Sequence, residues 1–280
     1  PDLAPEGAAF ERAQFLHARA QVGEQIAQPL QARFHRGSNA FDPQRRASRD
    51  MGGPRHLVRT AHGRAHRLHR GGIVQPVQHP DLAVQQLETA VKKYNLRGAA
   101  IGGSVNGEEF ADAKFHPVWA KAEELGVVLF IHPQSTPELN KRFRGNGWLA
   151  NTIGNPLDTT IALSHIIYEG VLDKFPGLKV AAAHGGGYLP SYAPRSDHSC
   201  TVSPPNCNPN IKLKKKPTEY LNQMYFDSLV FTSEALRHLI AQVGVSQLVL
   251  GTDHPIPWAE DAVNHVLNTP GLTDAQKISI

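Results

Sequence analysis

Three ionisable side chains that could bind a metal ion or transfer a proton each follow a short apolar run. His132 comes directly after VVLFI, His184 after LKVAAA, and Asp253 one residue after QLVLG. Neutral imidazole nitrogens and a carboxylate oxygen form a ligand set that suits zinc or a similar divalent ion, and an imidazole also transfers protons near neutral pH. We therefore ask whether the fold brings these three residues into one site.

Each of the three residues has an ordinary structural explanation when it is taken alone. A histidine at the end of a strand is more often a hydrogen-bonded structural group than a ligand, and an aspartate shortly before a proline, such as Asp253, is common in turns. The glycines after His184 lack the spacing of a phosphate-binding or dinucleotide-binding loop. Because three such placements coincide, we favour a functional site over three independent accidents.

Apolar runs and amphipathic segments alternate along the chain from about residue 73, which is typical of a parallel sheet covered by helices. Strands are predicted at 97–103, 127–131, 178–183, 223–228 and 247–251, with a sixth at 71–77. Helices are predicted at 81–93, 115–125, 156–172 and 233–243, and a polar loop after the third strand through Pro217. The predicted fold class is α/β, as an incomplete (β/α)8 TIM-like barrel with its first strands missing and its last helix cut; a doubly wound sheet is the alternative. In a barrel the three candidate residues share the face at the carboxyl ends of the strands.

The first 72 residues differ from the remainder in composition. Residues 1–75 hold 12 arginines, no lysine and six acidic residues, a balance of +6, whereas the remainder holds 17 basic and 19 acidic residues, a balance of −2. A helix is plausible at 10–34, but the segment as a whole is predicted to be loop or disordered, followed by a barrel domain at 73–280. One hypothesis is that the DNA encoding this segment was read in the wrong frame. The rival hypothesis is a divergent family member with a genuine basic extension. No stacking motif accompanies the arginines, so a nucleic-acid partner is not predicted.

The composition also excludes other classes of protein. No stretch of the sequence is apolar enough for a transmembrane helix, and the N-terminus lacks the pattern of a secretory signal, so no membrane partner is expected. Cys200 and Cys207 lie in a proline-rich segment and are predicted to be free thiols in a reducing cytosol. A cytoplasmic enzyme fits these features best.

Three segments resemble one known group of enzymes: IHP at 131–133, LSHIIYEGVLDKFPGLKVAAAHGGGYLPSY at 163–192, and LVLGTDHPIP at 248–257. They are similar to the amidohydrolase superfamily (amidohydrolase family 2), in the branch of the aminocarboxymuconate semialdehyde and resorcylate decarboxylases, over residues 73–280. The resemblance implies a barrel of the metal-dependent hydrolase type with one divalent metal, zinc or manganese. It also implies a cytoplasmic homodimer or homotetramer that acts on a small-molecule carboxylate.

The resemblance also implies roles for individual residues. His132 and Asp253 would bind the metal, with Asp253 also catalytic, and His184 would lie beside the metal-bound water as general acid and base. Arg195 would reach across the dimer to a substrate carboxylate, and His254 would contact the substrate. The implied function is non-oxidative decarboxylation of an aromatic or unsaturated carboxylic acid. The alternatives are a metal-dependent hydrolase of an amide or lactone, and an inactive fragment.

Two further features bear on this interpretation. The family carries a His-x-His or Glu-x-His pair on its first strand, and no such pair occurs in the 280 residues. The lysine-rich segment Lys212–Lys216 is predicted to be a solvated loop over the pocket, with a lid as the alternative.

Overall fold

The computed structural model describes residues 79–134, 136–207, 210–253, 256 and 261–280. Several predictions made from the sequence lie outside these residues. They are the helix at 10–34, the strand at 71–77, the whole 1–72 segment and the substrate contact of His254.

A single parallel sheet forms the centre of the described fold. Its strands, in spatial order, are β1 (Gly98–Ile101), β4 (Val128–Ile131), β5 (Lys179–Ala182), β6 (Met224–Asp227) and β7 (Leu248–Val249). All neighbouring pairs are parallel, with registers such as Ile101 opposite Ile131 and Ala182 opposite Phe226. The five strands predicted after residue 95 are all confirmed, and each begins or ends within a few residues of its predicted bounds. This order, in which each strand pairs with the next parallel one along the chain, is that of consecutive barrel strands.

A small hairpin between β1 and the next helix was not predicted. Strands β2 (Ser104–Val105) and β3 (Glu108–Glu109) pair antiparallel. The two residues between them, Asn106 and Gly107, have φ values of 52° and 79°. Asn-Gly is the preferred pair for such a tight turn, because both residues tolerate positive φ. The signal was therefore present in the sequence as VNGE.

The predicted helices are confirmed, with one division. They correspond to α1 (Pro80–Lys92), α2 (His116–Leu125), α3 (Asn155–Tyr168), α4 (Val171–Lys174) and α7 (Ser233–Val243). Thr232 caps α7 by accepting the amide of Ala235 at 3.1 Å, and Gly126 ends α2 with a φ of 65°. The helix predicted at 156–172 divides into α3 and α4, because Gly170 adopts a φ of 71°. Short helices α8 (Ala262–Asn268) and α9 (Asp274–Ser279) follow β7, and no helix in the described part of the chain has the length and hydropathy of a membrane span.

The segment predicted as a polar loop after β5 contains a long helix instead. Helix α5 spans Leu189–Val202 and is followed by α6 (Pro204–Cys207). Proline in the first turn of a helix is favoured, because its missing N–H would have no partner there, and Pro190 occupies that position. Pro194 lies inside the helix, where proline normally argues against helical structure. This residue, with the polar composition of the segment, explains why the helix was not predicted.

Cys200 on α5 and Cys207 on α6 form a disulfide, with their Cα atoms 4.8 Å apart. The prediction of two free thiols is therefore wrong. The two cysteines face each other because α5 ends at Val202 and the chain turns at once into α6. A sequence separation of seven gave no indication of this reversal, since it depends on where the unpredicted helix ends.

The lysine-rich segment lies at the opposite edge of the sheet from the strand ends that carry the candidate site. The backbone amide of Lys214 donates to the carboxylate of Asp173 at 2.9 Å, and Asp173 belongs to α4, which precedes the start of β5. The amide of Lys216 donates to Glu219 at 2.8 Å, in the 3-10 turn Pro217–Gln223 that leads directly into β6. Both contacts are with elements that enter the strands at their amino ends. The expectation of a loop or lid over the pocket is therefore wrong.

The core fills the space between the sheet and its helices with large apolar side chains. Those that are almost completely buried include Phe115, Trp119, Leu129, Ile131, Leu163, Ile166, Tyr220, Met224, Phe226 and Leu236. The indole N–H of Trp119 donates to the carbonyl of Phe110 at 2.8 Å, so the one polar atom of this ring is satisfied inside the core. Such packing holds the carboxyl ends of the strands in fixed positions.

Candidate active site

His132, His184 and Asp253 lie together at the carboxyl edge of the sheet. His132 directly follows β4, His184 follows β5 by two residues, and Asp253 follows β7 by four. His132 Nε2 is 3.6 Å from one carboxylate oxygen of Asp253, and His184 Nε2 is 3.7 Å from the other. The two imidazole rings are 5.2 Å apart between centroids, inclined at 67°. The fold thus brings the three residues into one cluster.

The donor atoms of this cluster fit a divalent ion. One ligand atom from each residue can be chosen so that all three lie within 4.8 Å of one another. Around a tetrahedral ion with bonds of about 2.1 Å, neighbouring ligand atoms are about 3.4 Å apart, close to the observed separations of 3.6 and 3.7 Å. The ring Nδ1 of His132 is 3.1 Å from the carbonyl oxygen of Pro133, and such a bond from the second ring nitrogen is typical of metal-binding histidines.

The electrostatics of the cluster also favour ligands in their metal-binding forms. Burial lowers the pKa of His132, as does the neighbouring His184, while Asp253 partly opposes the shift. Burial alone would raise the pKa of Asp253, but hydrogen bonding and charge from His184 and His132 outweigh it and leave that pKa lowered. A neutral imidazole beside an ionised carboxylate is the state in which both groups bind a metal.

Two of the three residues have strained backbones. His184 and Asp253 have φ values of 57° and 53°, in a region that residues other than glycine seldom adopt. Such conformations cost on the order of 1–3 kcal/mol and occur preferentially at functional sites, where the surrounding structure imposes them. For His184 the contacts that impose this backbone conformation can be identified.

Asp227, at the end of β6, holds the turn that contains His184. One of its carboxylate oxygens accepts the amide of Gly185 at 2.8 Å and that of Leu229 at 3.1 Å. The side chain is buried, which raises its pKa, and the backbone amides and the charge of His184 oppose that rise. Gly251 approaches so closely that a Cβ there would lie 2.6 Å from the Cβ of Asp227. Asp227 was not predicted as a site residue from the sequence, although it too is an ionisable residue at a strand end, in QMYFDS.

Asp158 supports the segment that follows His132 in a similar manner. Its carboxylate, on α3, accepts the amide of Gln134 at 2.8 Å. The side chain is only 6% exposed, and Gly103 lies against it: a Cβ on that glycine would be 2.5 Å from the carboxylate. Two buried carboxylates, Asp158 and Asp227, therefore hold the backbone beyond two of the three strand ends.

Arg195 does not join the cluster within this chain. It is exposed on α5, and its side chain makes no hydrogen bond or ion pair with any described residue. His254 lies outside the described residues, so its predicted contact with the substrate stays a prediction. The roles predicted for Arg195, His132, His184 and Asp253 are taken up below as proposals.

Comparison with known proteins places this arrangement among related enzymes. The 2-amino-3-carboxymuconate-6-semialdehyde decarboxylase of Dictyostelium discoideum is 35% identical over 185 residues, which cover 66% of this chain and 50% of that protein. The chain therefore spans about half the length of this curated relative.

Two solved structures share the fold. The 5-carboxyvanillate decarboxylase of Sphingomonas paucimobilis is 27% identical, with a TM-score of 0.66 over 72% of this chain and 61% of that one. The dihydroxybenzoic acid decarboxylase of Polaromonas sp. JS666, solved with manganese and the inhibitor 2-nitroresorcinol, is 26% identical, with a TM-score of 0.65 over 73% and 64% of the two chains. The five parallel strands are thus part of an α/β barrel of this type, which confirms the predicted fold class.

The family model described as amidohydrolase matches residues 10–277, nearly the whole sequence. Together with the His-His-Asp cluster at the carboxyl edge of the sheet, this match establishes that the chain belongs to the amidohydrolase family.

Proposed function

We propose that this chain is a metal-dependent carboxy-lyase that removes CO2 from an aromatic or unsaturated carboxylic acid without oxidation. The observation that carries the proposal is the convergence of His132, His184 and Asp253 within 4.8 Å at the carboxyl edge of the sheet. The names of the three relatives support the choice of reaction, since each is a decarboxylase of a carboxylic acid of this kind. In this proposal Asp253 has two roles: it binds the metal, and it stabilises the proton donor His184.

His132 and Asp253 are the proposed metal ligands. Two imidazoles and a carboxylate accept zinc or manganese, and the presence of manganese in the Polaromonas structure supports manganese as well as zinc. A bound divalent ion would supply positive charge that holds and polarises a substrate carboxylate or an adjacent oxygen. The family's first-strand ligand pair is absent from this sequence, so three protein ligands are reached only if His184 also binds the ion.

His184 is the proposed proton donor. When the bond between the ring carbon and the carboxylate breaks, its electron pair stays on the carbon and CO2 leaves. The carbon then takes a proton, which His184 delivers from its ring. Asp253, 3.7 Å from His184 Nε2, stabilises the protonated ring by its charge. The strained turn, fixed by Asp227 through Gly185, orients the imidazole.

Arg195 and His254 are the proposed substrate contacts. Because Arg195 is exposed on α5 and pairs with no described residue, its guanidinium is free to bind a carboxylate held by a second copy of the chain. The proposed assembly is therefore a homodimer or a homotetramer in which α5 lies at the interface. An arginine fork suits a planar carboxylate better than a lysine does.

Metal analysis and product detection test the proposal together. The purified protein should retain about one zinc or manganese ion per chain after dialysis and release CO2 from a panel of dihydroxybenzoates. Hydrolysis of amides or lactones without CO2 release would establish the hydrolase alternative instead. Metal-free protein that regains no activity when zinc or manganese is added would identify an inactive member of the family.

The proposed compartment is the cytoplasm, in keeping with the family resemblance. Disulfides are rare in a reducing cytosol, so the Cys200–Cys207 disulfide argues against this compartment. Alkylation in intact cells, followed by mass measurement, tests the compartment: in a cytoplasmic chain both cysteines would be modified. A pair protected from alkylation would indicate an oxidising compartment.

A further inference from the structure

A second cleft lies far from the His-His-Asp cluster, at the amino edge of the sheet. It has a volume of about 800 Å³ and is lined by the second half of α5, by α6 and by the segment Ile211–Pro217. Helix α5 begins just beyond β5 and runs back along the sheet, so Cys200 lies about 17 Å down the helix axis from Leu189. The cleft is therefore separate from the site described above.

The cleft carries an excess of positive charge. Lys212, Lys214, Lys215 and Lys216 all line it, and all four are exposed. Within the described part of the chain, none of these four ammonium groups forms an ion pair with a carboxylate. Four like charges within five residues repel one another, and a bound anion would relieve that repulsion.

The carboxylates at the cleft are already engaged by other donors. Asp197 accepts the amide and the hydroxyl of Thr218, at 3.0 and 2.6 Å. Glu219 accepts the amide of Lys216 at 2.8 Å, and Asp173, beneath the loop, accepts the amide of Lys214 at 2.9 Å. These bonds fix the backbone of the lysine segment. The Lys214 ammonium donates to the carbonyl oxygen of Asp173 at 3.1 Å, whereas those of Lys212 and Lys216 contact no hydrogen-bond acceptor among the described residues.

Both walls of the cleft are held in place before any ligand arrives. The phenol of Tyr220 accepts the amide of Lys215 at 3.3 Å, and the Lys215 ammonium lies 5.7 Å from the ring centroid. Burial, followed by a hydrogen bond to Asp173, raises the pKa of Tyr220 to about 12, so this phenol stays protonated. On the opposite wall the Cys200–Cys207 disulfide joins α5 to α6. A site formed in advance loses less entropy on binding.

We propose that this cleft binds a small phosphate-bearing organic molecule. Its cations are lysines, which bind phosphate as point charges, and a phosphate offers several ammonium groups more charge and more acceptor oxygens than a carboxylate does. The apolar part of the lining, Pro194, Pro204, Ile211, Leu213 and Pro217, faces the non-ionic part of the ligand. The volume lies within the range of sites for small organic ligands.

Calorimetric titration of the full chain at low ionic strength tests the proposal, with pyrophosphate, ADP, adenosine, malonate and heparin as probes. ADP should bind with a stoichiometry of one per chain and more tightly than pyrophosphate, while adenosine and malonate should show no binding. Pyrophosphate binding as tightly as ADP would limit the site to inorganic polyphosphate and overturn the organic part of the proposal. If heparin binds but neither phosphate compound does, the segment is a surface for polymers and the proposal is wrong.

A pair of charge-matched variants assigns the binding to the cleft. The double substitution Lys215→Gln/Lys216→Gln should weaken ADP binding by about tenfold or more. The control Lys93→Gln/Lys141→Gln removes the same charge from exposed positions outside the cleft and should leave ADP binding unchanged. Equal loss in both variants would mean non-specific attraction to a basic protein. Light scattering and circular dichroism verify that both variants keep the assembly and fold of the parent.

Discussion

The carboxylate of Asp227 accepts the backbone amide of Gly185 at 2.8 Å and thereby links the end of β6 to the turn that carries His184. The same oxygen accepts the amide of Leu229 at 3.1 Å. A buried acceptor that serves two amides is costly to remove, because both donors then lack a partner away from water. Asp227 is therefore a positioning residue, which acts on the site through the backbone of its neighbour.

Replacement of Asp227 by alanine should lower the free energy of unfolding by about 3 kcal/mol and impair the site. Urea denaturation measures the free energy of unfolding. With a substrate that the protein decarboxylates, kcat should fall more than KM rises, because the imidazole of His184 loses its orientation. Ser228→Ala is the neighbouring control: among the described residues the Ser228 hydroxyl accepts one long bond, from Gly251 at 3.3 Å, so the cost should stay near 1 kcal/mol. Equal effects of the two substitutions would contradict the role given to Asp227.

Metal content after substitution of each cluster residue distinguishes ligand from proton donor. His132→Ala and Asp253→Ala should each lower metal retention by tenfold or more, about the loss of one ligand. His184→Ala should retain the metal and abolish decarboxylation. The control is His238→Ala, which removes an exposed histidine on α7 that contacts Ser191 and should change neither quantity. Metal loss in His184→Ala would show that His184 is a third ligand and that the proton comes from elsewhere.

The elements that could be predicted from the sequence are those with a strong local pattern. Runs such as VVLFI gave the buried strands, and Thr232 and Gly126 marked helix ends that the structure reproduces. Helix α5 was missed because Pro194 and many polar residues mask its helical character, and the disulfide was missed with it. Where a helix depends on tertiary contacts rather than on local propensity, a single sequence carries little signal.

The candidate site likewise has residues that a local pattern predicts and residues whose roles depend on tertiary contacts. His132, His184 and Asp253 could be grouped from the sequence, because parallel strands present their carboxyl ends on one face. Asp227 obeys the same rule, yet its carboxylate faces backbone amides rather than the cluster. The direction in which a strand-end side chain points depends on the turn that follows, which the sequence does not specify. The predicted location of Lys212–Lys216 was wrong for a related reason. Asp173 anchors this loop at the amino edge of the sheet, whereas the prediction placed it over the carboxyl edge.

The close approach of the His184 turn to α3 makes Gly187 sensitive to any side chain. Gly187 has a φ of 66°, and a Cβ there would lie 2.1 Å from the carbonyl oxygen of Pro156. Gly187→Ala should therefore cost about 4 kcal/mol or more, as a clash added to backbone strain. Gly107→Ala is the control, because Gly107 has a similar φ of 79° but a Cβ there meets no atom within 4 Å. About 1 kcal/mol of backbone strain is therefore expected. Thermal or urea unfolding measures both; similar losses would mean that the packing against α3 contributes nothing.

The buried carboxylate of Asp158 should make stability depend on pH in a defined direction. Burial raises its pKa in the folded protein; the amide of Gln134 opposes the rise, and the carboxylates of Glu109 and Glu138 add to it. Since the folded state then binds a proton more tightly than the unfolded state does, this group favours folding increasingly as pH falls through the folded pKa toward the unfolded value near 3.8. At neutral pH the ionised form opposes folding.

Asp158→Asn removes this titration and keeps an oxygen that accepts the Gln134 amide. Relative to the variant, the parent should gain on the order of 1 kcal/mol of stability between neutral pH and pH 4, measured by urea unfolding at each pH. Asp81→Asn removes an exposed carboxylate on α1 and controls for the change in net charge. A difference between parent and Asp158→Asn that stays constant with pH would mean that folding leaves the pKa of Asp158 unchanged. A difference that grows toward neutral pH in favour of the parent would mean that Asp158 is stabilised in its ionised form. In that second case the hydrogen bond from the Gln134 amide would outweigh burial in setting the pKa of Asp158.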